Sequence, residues 1–202
     1  MALIAVGAVQ LGSSGRGTNF RIEDSELAPS QVNVFQNDIC GFGFTAVGIN
    51  SHSGVDTADI SGSDVTILDS WLHATTSFPV DPNHGGGPTH NDGIQITAGS
   101  RIQITHNTIA GGSNAAIQIT QDNGHVSDVQ IDDNLLGGGS CTVRMNAKPL
   151  PHMFGIEMNV DRFTGTSAIP GCDALISRRV RLSAARNTRV GSDKWAKIAR
   201  AD

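Results

Sequence analysis

The segments RIQITHNTI (residues 101–109) and DVQIDDNLL (residues 128–136) share one pattern of apolar and polar residues. In each segment apolar and polar residues alternate, an asparagine follows, and an isoleucine or leucine ends the segment. Apolar residues at every second position place one face of a β-strand inward, so each segment predicts a strand, a bend at the asparagine and a second strand. A spacing of two does not fit an amphipathic helix.

The same pattern occurs in FRIEDSEL (20–27), VNVFQNDI (32–39) and DVTILDSWL (64–72), so it is an internal repeat. Aligning the five copies places Ile22, Val34, Ile67, Ile104 and Ile131 in one column. It places Leu27, Ile39, Leu72, Ile109 and Leu136 in a second column, and Ser25, Asn37, Ser70, Asn107 and Asn134 in the bend between them. Such columns predict repeats that stack, with equivalent residues lying over one another.

A further strand is predicted after most copies: TAVGIN (45–50), DGIQIT (92–97), AAIQIT (115–120) and CTVRM (141–145), with FGIEMN (154–159) as another rung. The 27 residues between Ile104 and Ile131 are a period typical of solenoids. The sequence therefore predicts an all-β protein, a single-stranded parallel β-helix over residues 1–192. Residues 193–202, with Trp195 beside Ile198, are predicted to be a tail that caps its open end.

The segments THNDGIQI (89–96), SRIQITHNTI (100–109) and DVQIDDNLLGGG (128–139) resemble the pectate-lyase-like superfamily of right-handed parallel β-helix proteins, especially its actinobacterial and phage-borne members. The resemblance covers about residues 20–192 and implies a right-handed solenoid. It also implies work on polysaccharides, although this architecture serves lyases, hydrolases, tailspikes and adhesins alike. The paired aspartates of polygalacturonases and the calcium-binding carboxylates of pectate lyases have no counterpart here, so those catalytic residues are not carried over.

The candidate catalytic residues lie around the loop of roughly residues 74–91, which contains an insertion. Ile67 and Ile94 are 27 residues apart, whereas Ile104 and Ile117 are 13 apart, which leaves a 14-residue insertion in one repeat. Long loops on rigid scaffolds often carry function.

Four side chains are the predicted catalytic set: His90, Asp92, His73 and Arg144. A histidine would abstract a proton from a uronate, and Arg144 would stabilise the developing negative charge of a β-elimination. A glycoside hydrolase would instead need two carboxylates, for which Asp69 and Asp92 are the candidates. The structural alternative is that Asp92 bonds backbone amides of the bend and that His90 is an ordinary loop histidine.

The predicted substrate-binding residues form a polar strip next to this loop: Gln95, Thr97, Gln118, Thr120 and Asn146, together with His84. A line of outward hydrogen-bonding side chains suits a glycan, whose hydroxyls are spaced along a chain, and Arg144 could hold a carboxylate there. An ordinary solvated strand face is the alternative.

Charge and cysteine usage exclude several classes of protein. Residues 178–202 hold eight basic and two acidic residues and so carry a charge of +6. Because the net charge of the chain is −5, residues 1–177 carry −11. A nucleic-acid-binding face is therefore not expected on residues 1–177. Cys40, Cys141 and Cys172 lack CxxC spacing, which predicts neither a disulfide scaffold nor a zinc site, and no metal ligands are assigned. MALIAVGAVQLG (1–12) predicts a first strand rather than a signal peptide or a membrane span, so no membrane partner is expected.

Together these features predict an extracellular or virion protein that binds a polysaccharide and cleaves it by β-elimination or hydrolysis. The sequence does not identify a cofactor, and calcium is a candidate. The alternative is a non-catalytic structural or adhesive module, such as part of a phage tail fibre or tailspike. Such a module would form a homo-oligomer, and a tail module would form a homotrimer.

Overall fold

The computed structural model describes residues 4–6, 10–11, 18–28, 38–39, 42–81 and 85–201. These residues form strands and turns with no helix, which confirms the all-β prediction. The described strands number 23 and form three parallel sheets of eight, eight and seven strands.

Sheet A has the strand order β1-β4-β7-β10-β13-β16-β19-β22. Its strands are β1 Ile4–Val6, β4 Ser25–Leu27, β7 Asn50–His52, β10 Trp71–His73, β13 Thr108–Gly111, β16 Leu135–Gly138, β19 Arg162–Phe163 and β22 Thr188–Arg189. Sheet B has the order β2-β5-β8-β11-β14-β17-β20-β23. Its strands are β2 Gln10–Leu11, β5 Asp38–Ile39, β8 Ala58–Ile60, β11 Asp92–Ile96, β14 Ala115–Ile119, β17 Val143–Met145, β20 Ala174–Ser177 and β23 Ile198–Ala201.

Sheet C has the order β21-β18-β15-β12-β9-β6-β3. Its strands are β3 Thr18–Glu23, β6 Phe42–Val47, β9 Ser63–Leu68, β12 Gly99–Thr105, β15 Val126–Asp132, β18 Met153–Asn159 and β21 Val180–Ala185. From β3 onward the chain visits sheets C, A and B in turn, and each strand pairs in parallel with the strand three places along. This order is consistent with the predicted parallel β-helix.

The predicted columns are largely present in the core. Ile67 pairs with Ile104 and Ile104 with Ile131, and all three side chains are buried. The members of the second column that lie in sheet A are Leu27, Leu72, Ile109 and Leu136. Isoleucine and valine suit strands that are buried on one face and stack on like residues.

Three of the predicted strand assignments need correction. Ile39 does not lie in sheet A with the rest of its column. It lies in the short strand β5, which belongs to sheet B, and it pairs there with Ile60. TAVGIN (45–50) runs from β6 of sheet C into β7 of sheet A, and FGIEMN (154–159) lies in β18 of sheet C. Neither segment is a rung of sheet B. Val34 and Asn37 lie outside the described residues.

Buried polar side chains form a ladder at the corner between sheets C and A, as the bend column predicted. The backbone amide of Ser70 donates to Asn107 Oδ1, that of Asn107 to Asn134 Oδ1, and that of Asn134 to Asp161 Oδ1, each at 2.9 Å. The amide of Asp161 donates in turn to Asn187 Oδ1 at 2.9 Å. The ladder therefore satisfies backbone donors that the bend removes from the sheets.

A disulfide joins Cys141 and Cys172, whose Cα atoms are 4.8 Å apart, so the prediction that the cysteines form no disulfide is wrong. The two residues are 31 positions apart in the sequence, which concealed the pairing. Val143 lies opposite Ala174 in sheet B, and counting back two positions on each strand places the cysteines side by side.

The predicted cap is built differently from the expectation. Trp195 is 68% exposed, whereas Ala196 and Ile198 pack against the core. Residues 198–201 form β23 and pair with β20, which extends sheet B beyond the predicted boundary at residue 192. That domain boundary stays a prediction.

Candidate functional site

The predicted strip on sheet B is present as a register of outward side chains. Gln95 pairs with Gln118 and Gln118 with Arg144, while Asp59 lies on the other side of Gln95. The strip then ends at Leu175, which pairs with Arg144. Gln118 and Arg144 line a pocket of about 170 Å³ with Asn146. The Oε1 atom of Gln118 is buried and accepts no hydrogen bond within the described part of the chain.

Asp92 lies at the start of β11 with its side chain fully buried. Asn114 Nδ2 donates to both carboxyl oxygens at 3.0 Å, and Arg144 Nη1 donates to Asn114 Oδ1 at 2.6 Å. Burial raises the pKa of Asp92 to about 7, and the charge of Asp59 adds to this rise. The hydrogen bonds from Asn114 and the Ala115 amide, and the charge of Arg144, oppose the rise. Asp92 and Arg144 are thus connected through Asn114.

The residue after Asp92 is Gly93, and the space there excludes a larger residue. A Cβ at this position would overlap the Ile109 side chain and the Ala116 carbonyl.

Thr97 and Thr120 are buried, so they contribute little to an outward strip. Thr97 Oγ1 donates to the Ile60 carbonyl at 3.3 Å and accepts from Asn123 Nδ2 at 3.0 Å. Thr120 Oγ1 donates to Asp122 at 2.5 Å. Asn146, by contrast, is exposed.

The two halves of the insertion at residues 74–91 are bonded to each other, and Thr76 and Asn91 bond it to the body at Gly54 and Val55. Thr89 and Phe78 bond each other in both directions, and Asn91 Nδ2 donates to the carbonyls of Thr76 at 2.6 Å and Val55 at 3.2 Å. His90 lies between these anchors with an exposed side chain. His84 lies outside the described residues.

His73 lies on sheet A, beside residues that the sequence did not single out. Its Nε2 atom bonds Asn50 Oδ1 at 2.8 Å, and its ring stacks on Trp71 with centroids 3.6 Å apart. His52, its neighbour in register, lies with its ring centroid 5.5 Å away. Burial, and then the charge of His52, lower the pKa of His73. His73 therefore supports Trp71 as a neutral ring near pH 7.

Trp71 forms one wall of an open pocket of about 370 Å³ at the corner between sheets C and A. Its side chain is 51% exposed. The polar lining consists of Asn50, Asp69, Ser70, His106 and Thr108. His106 Nδ1 lies 2.5 Å from Asp69 Oδ1, and this hydrogen bond raises the pKa of His106.

Asp69 and His106 share a left-handed corner conformation, with φ values of 52° and 56°. Asp24 and Asp133 have the same conformation, so Asp69 occupies a corner position that recurs in the repeat. Asp69 and Asp92 lie on different corners, next to sheets A and B, respectively. Parity with the inward Leu72 places Trp71 and His73 on the same outward face of β10, and the pairing of β10 with β7 places Asn50 beside Trp71 and His52 beside His73.

No group of three or more histidine, cysteine, aspartate or glutamate side chains in the described ranges is placed to hold a metal ion. Within the same ranges there is no helix that could cross a membrane. Comparison with protein-family models, curated proteins and solved structures found no match.

Proposed function

We propose that the protein is a right-handed, single-stranded parallel β-helix whose lateral surface binds a polysaccharide. The pairing of each strand with the strand three places along supports the solenoid. The observation that carries the function is the exposed indole of Trp71, held by His73 over a polar pocket.

Trp71 is one of several exposed aromatic side chains and is distinguished by its stacking on His73 beside a polar pocket. About half of the side chain stays exposed although His73 stacks on it, so a ligand that covers the indole would bury apolar area. The apolar face of a sugar ring can lie on the indole, while its hydroxyls bond Asn50, Thr108 and the Asp69–His106 pair.

The strip on sheet B supports binding of a chain rather than of a single sugar. Neighbouring strands of a sheet are about 4.8 Å apart, so Asp59, Gln95, Gln118 and Arg144 form a polar line of about 14 Å. Hydroxyls spaced along a glycan could bond these side chains in succession, and Arg144 suits a carboxylate substituent.

Binding is better supported than cleavage. A group that exchanges a proton with a substrate has to be reached by it, and Asp92 is fully buried beneath Asn114 and Arg144. His73 is engaged with Trp71 and Asn50 on another sheet. A catalytic role for His90, Asp92, His73 and Arg144 stays a prediction, as does a homotrimeric tail module.

An extracellular or virion location is part of this proposal. The disulfide between Cys141 and Cys172 supports it, because disulfides persist mainly in oxidising compartments.

The test is polysaccharide binding by the Trp71→Ala protein, measured by affinity electrophoresis in gels that contain neutral, uronate or sulfated polysaccharides. Trp195→Ala is the matched control, since Trp195 is the other tryptophan and is also exposed. We expect one polysaccharide class to retard the wild type and the control, and Trp71→Ala to bind at least about tenfold more weakly. Absence of retardation with every class, or equal binding by Trp71→Ala, would refute the proposal.

A further inference from the structure

A hydroxyl, an imidazole and a carboxyl group form a hydrogen-bonded line in the N-terminal part of sheet A. Ser53 Oγ lies 2.8 Å from His52 Nδ1, and His52 Nε2 lies 2.7 Å from Glu26 Oε1. Glu26 belongs to β4 and His52 to β7, the neighbouring strand, while Ser53 directly follows β7. The sequence did not single out these residues, because Glu26 and His52 are 26 positions apart and share no motif.

The two hydrogen bonds give each nitrogen of the imidazole a role. With the ring proton on Nε2, His52 donates to the Glu26 carboxylate, and Nδ1 is left to accept the proton of the Ser53 hydroxyl. The carboxylate orients the ring and stabilises the imidazolium that forms when Nδ1 takes a proton. A hydroxyl bonded to a base that a third group orients is the arrangement of an activated nucleophile.

The three groups are accessible from solvent. The side chains of His52 and Glu26 are 22% and 28% exposed, and Ser53 is partly exposed. Asp92, by contrast, is fully buried. The neighbouring His73 bonds Asn50 through its Nε2 atom, on another side of His52. A small substrate can therefore reach the Ser53 hydroxyl and its base together.

Ser53 lies at a corner where the backbone disfavours a side chain. Its φ value is 67°, in the left-handed region that glycine adopts most easily. Because His52 pairs with His73, the residue equivalent to Ser53 in the next repeat is Ala74, and later repeats have glycine there. The equivalent residues with positive φ are Ala74 at 50°, Gly138 at 78° and Gly165 at 74°. The corner thus needs no hydroxyl, and side chains held in such conformations are frequent at active sites.

We propose that this line hydrolyses carboxylic esters, with Ser53 as the nucleophile, His52 as the base and Glu26 as the positioning residue. The Ser53 oxygen bonds to the acyl carbon while its proton passes to His52 Nδ1. The bond between the acyl carbon and the alkoxy oxygen then breaks, and His52 returns the proton to the leaving alcohol.

Water completes the reaction by the same proton transfers. Its oxygen bonds to the acyl carbon, its proton passes to His52, and the Ser53 oxygen leaves with that proton. One ester and one water molecule give one acid and one alcohol. An ester is favoured over an amide because an alkoxide is the better leaving group. Hydrolysis of a simple ester does not depend on polysaccharide binding at Trp71.

The test uses the full chain and two probes. A fluorophosphonate reacts with an activated serine with loss of fluoride, and mass spectrometry of a digest locates the label. Hydrolysis of p-nitrophenyl acetate measures turnover. We expect the label on Ser53, and Ser53→Ala to lower kcat/KM at least about a hundredfold. This variant should keep the fold, since alanine is the residue of the next repeat at this corner. Ser127→Ala is the matched control and should leave turnover unchanged, because Ser127 Oγ bonds the carboxylate of Asp128 directly, at 2.9 Å, without an imidazole.

Two further variants separate the roles of the other groups. His52→Ala should lose labelling, and added imidazole should restore it in part, whereas Ser53→Ala should not respond to imidazole. Glu26→Gln keeps the shape of the side chain and removes its charge, so it should lower kcat about tenfold and leave KM unchanged.

Three results would overturn the proposal. Labelling of another serine, or no labelling of the folded wild type, would exclude Ser53 as the nucleophile. Equal turnover by Ser53→Ala and wild type would show that surface imidazoles cleave the ester without a serine. Full labelling of His52→Ala without imidazole would exclude His52 as the base. None of these results bears on polysaccharide binding at Trp71.

Discussion

Asp161 occupies a position in the corner ladder at which neighbouring repeats have Asn107, Asn134 and Asn187. Its Oδ1 atom accepts two hydrogen bonds from Asn134, while its buried Oδ2 atom has none within the described residues. Burial, the largest effect, raises the pKa of Asp161 to about 7. The carboxyl thus costs stability when it ionises.

We predict that Asp161→Asn stabilises the protein by about 1 to 4 kcal/mol at pH 8. The folded pKa, about 7, lies above the ordinary value of 3.8, so between these two pH values the folded state holds a proton that the unfolded state has lost. Stability therefore falls as the pH rises through this window, and the asparagine removes that part of the fall. Urea unfolding between pH 4 and pH 8 measures it. Asp193→Asn, at an exposed position, is the control, and equal slopes for the wild type and Asp161→Asn would contradict the prediction.

Single residues show where sequence reasoning ends. The repeat predicted that Asn107 and Asn134 lie in one column, because identical residues recur at equal spacing. It could not predict that Asn114 bridges Asp92 and Arg144, since these three residues come from three repeats and have no shared pattern. Trp71 and His73, by contrast, are two positions apart in β10, so alternation along the strand is enough to place them on one face.

At the scale of elements, register is the property on which the stacked repeats depend. Gln103 and Gln130 lie opposite each other in β12 and β15, whereas Thr66 lies opposite Gln103 on the other side. We predict that Gln103→Cys with Gln130→Cys forms an intramolecular disulfide on mild oxidation in a Cys40→Ser protein, because in-register neighbours have Cα atoms about 4.8 Å apart. Mass spectrometry of unreduced digests detects it. Thr66→Cys with Gln130→Cys, two strands apart, should remain reduced, and the opposite pattern would refute the register.

The disulfide between Cys141 and Cys172 ties β17 to β20 near one corner. We predict that the double variant Cys141→Ala, Cys172→Ala is less stable by about 3 to 4 kcal/mol, as the loss of a 31-residue crosslink implies. Chemical denaturation of the oxidised wild type, the reduced wild type and the variant provides the comparison. Reduced wild type and variant should agree, and a variant as stable as the oxidised protein would contradict the crosslink.

Elements were predictable where the repeat is regular. The alternation of apolar and polar residues and the asparagine at the bend predict two strand–bend–strand units, β12 with β13 and β15 with β16. Assignment failed at Ile39 because its two-residue strand gives no alternation to place it in a sheet. The cysteine pair was missed because its register becomes visible only when β20 is aligned with β17.

In the described part of the chain each strand pairs with the strands three places before and after it, so stability should vary along the length of the sheets. We predict that amides of β12 and β15, with strands on both sides, exchange hydrogen most slowly, and that those of β22 and β23 exchange fastest among the described C-terminal repeats. Hydrogen-exchange mass spectrometry measures this profile. Uniform protection from β12 to β23 would indicate a single cooperative unit instead.

The central claim is that a polysaccharide covers Trp71, and the emission of Trp71 tests it most directly. The chain has two tryptophans, so Trp195→Phe leaves Trp71 as the sole indole. During titration with the polysaccharide that retards the wild type, we predict a saturable change in emission and a loss of quenching by acrylamide, because the ligand would shield the ring from solvent. Unchanged emission and quenching while the same protein binds the polysaccharide would place the binding site elsewhere and contradict the account.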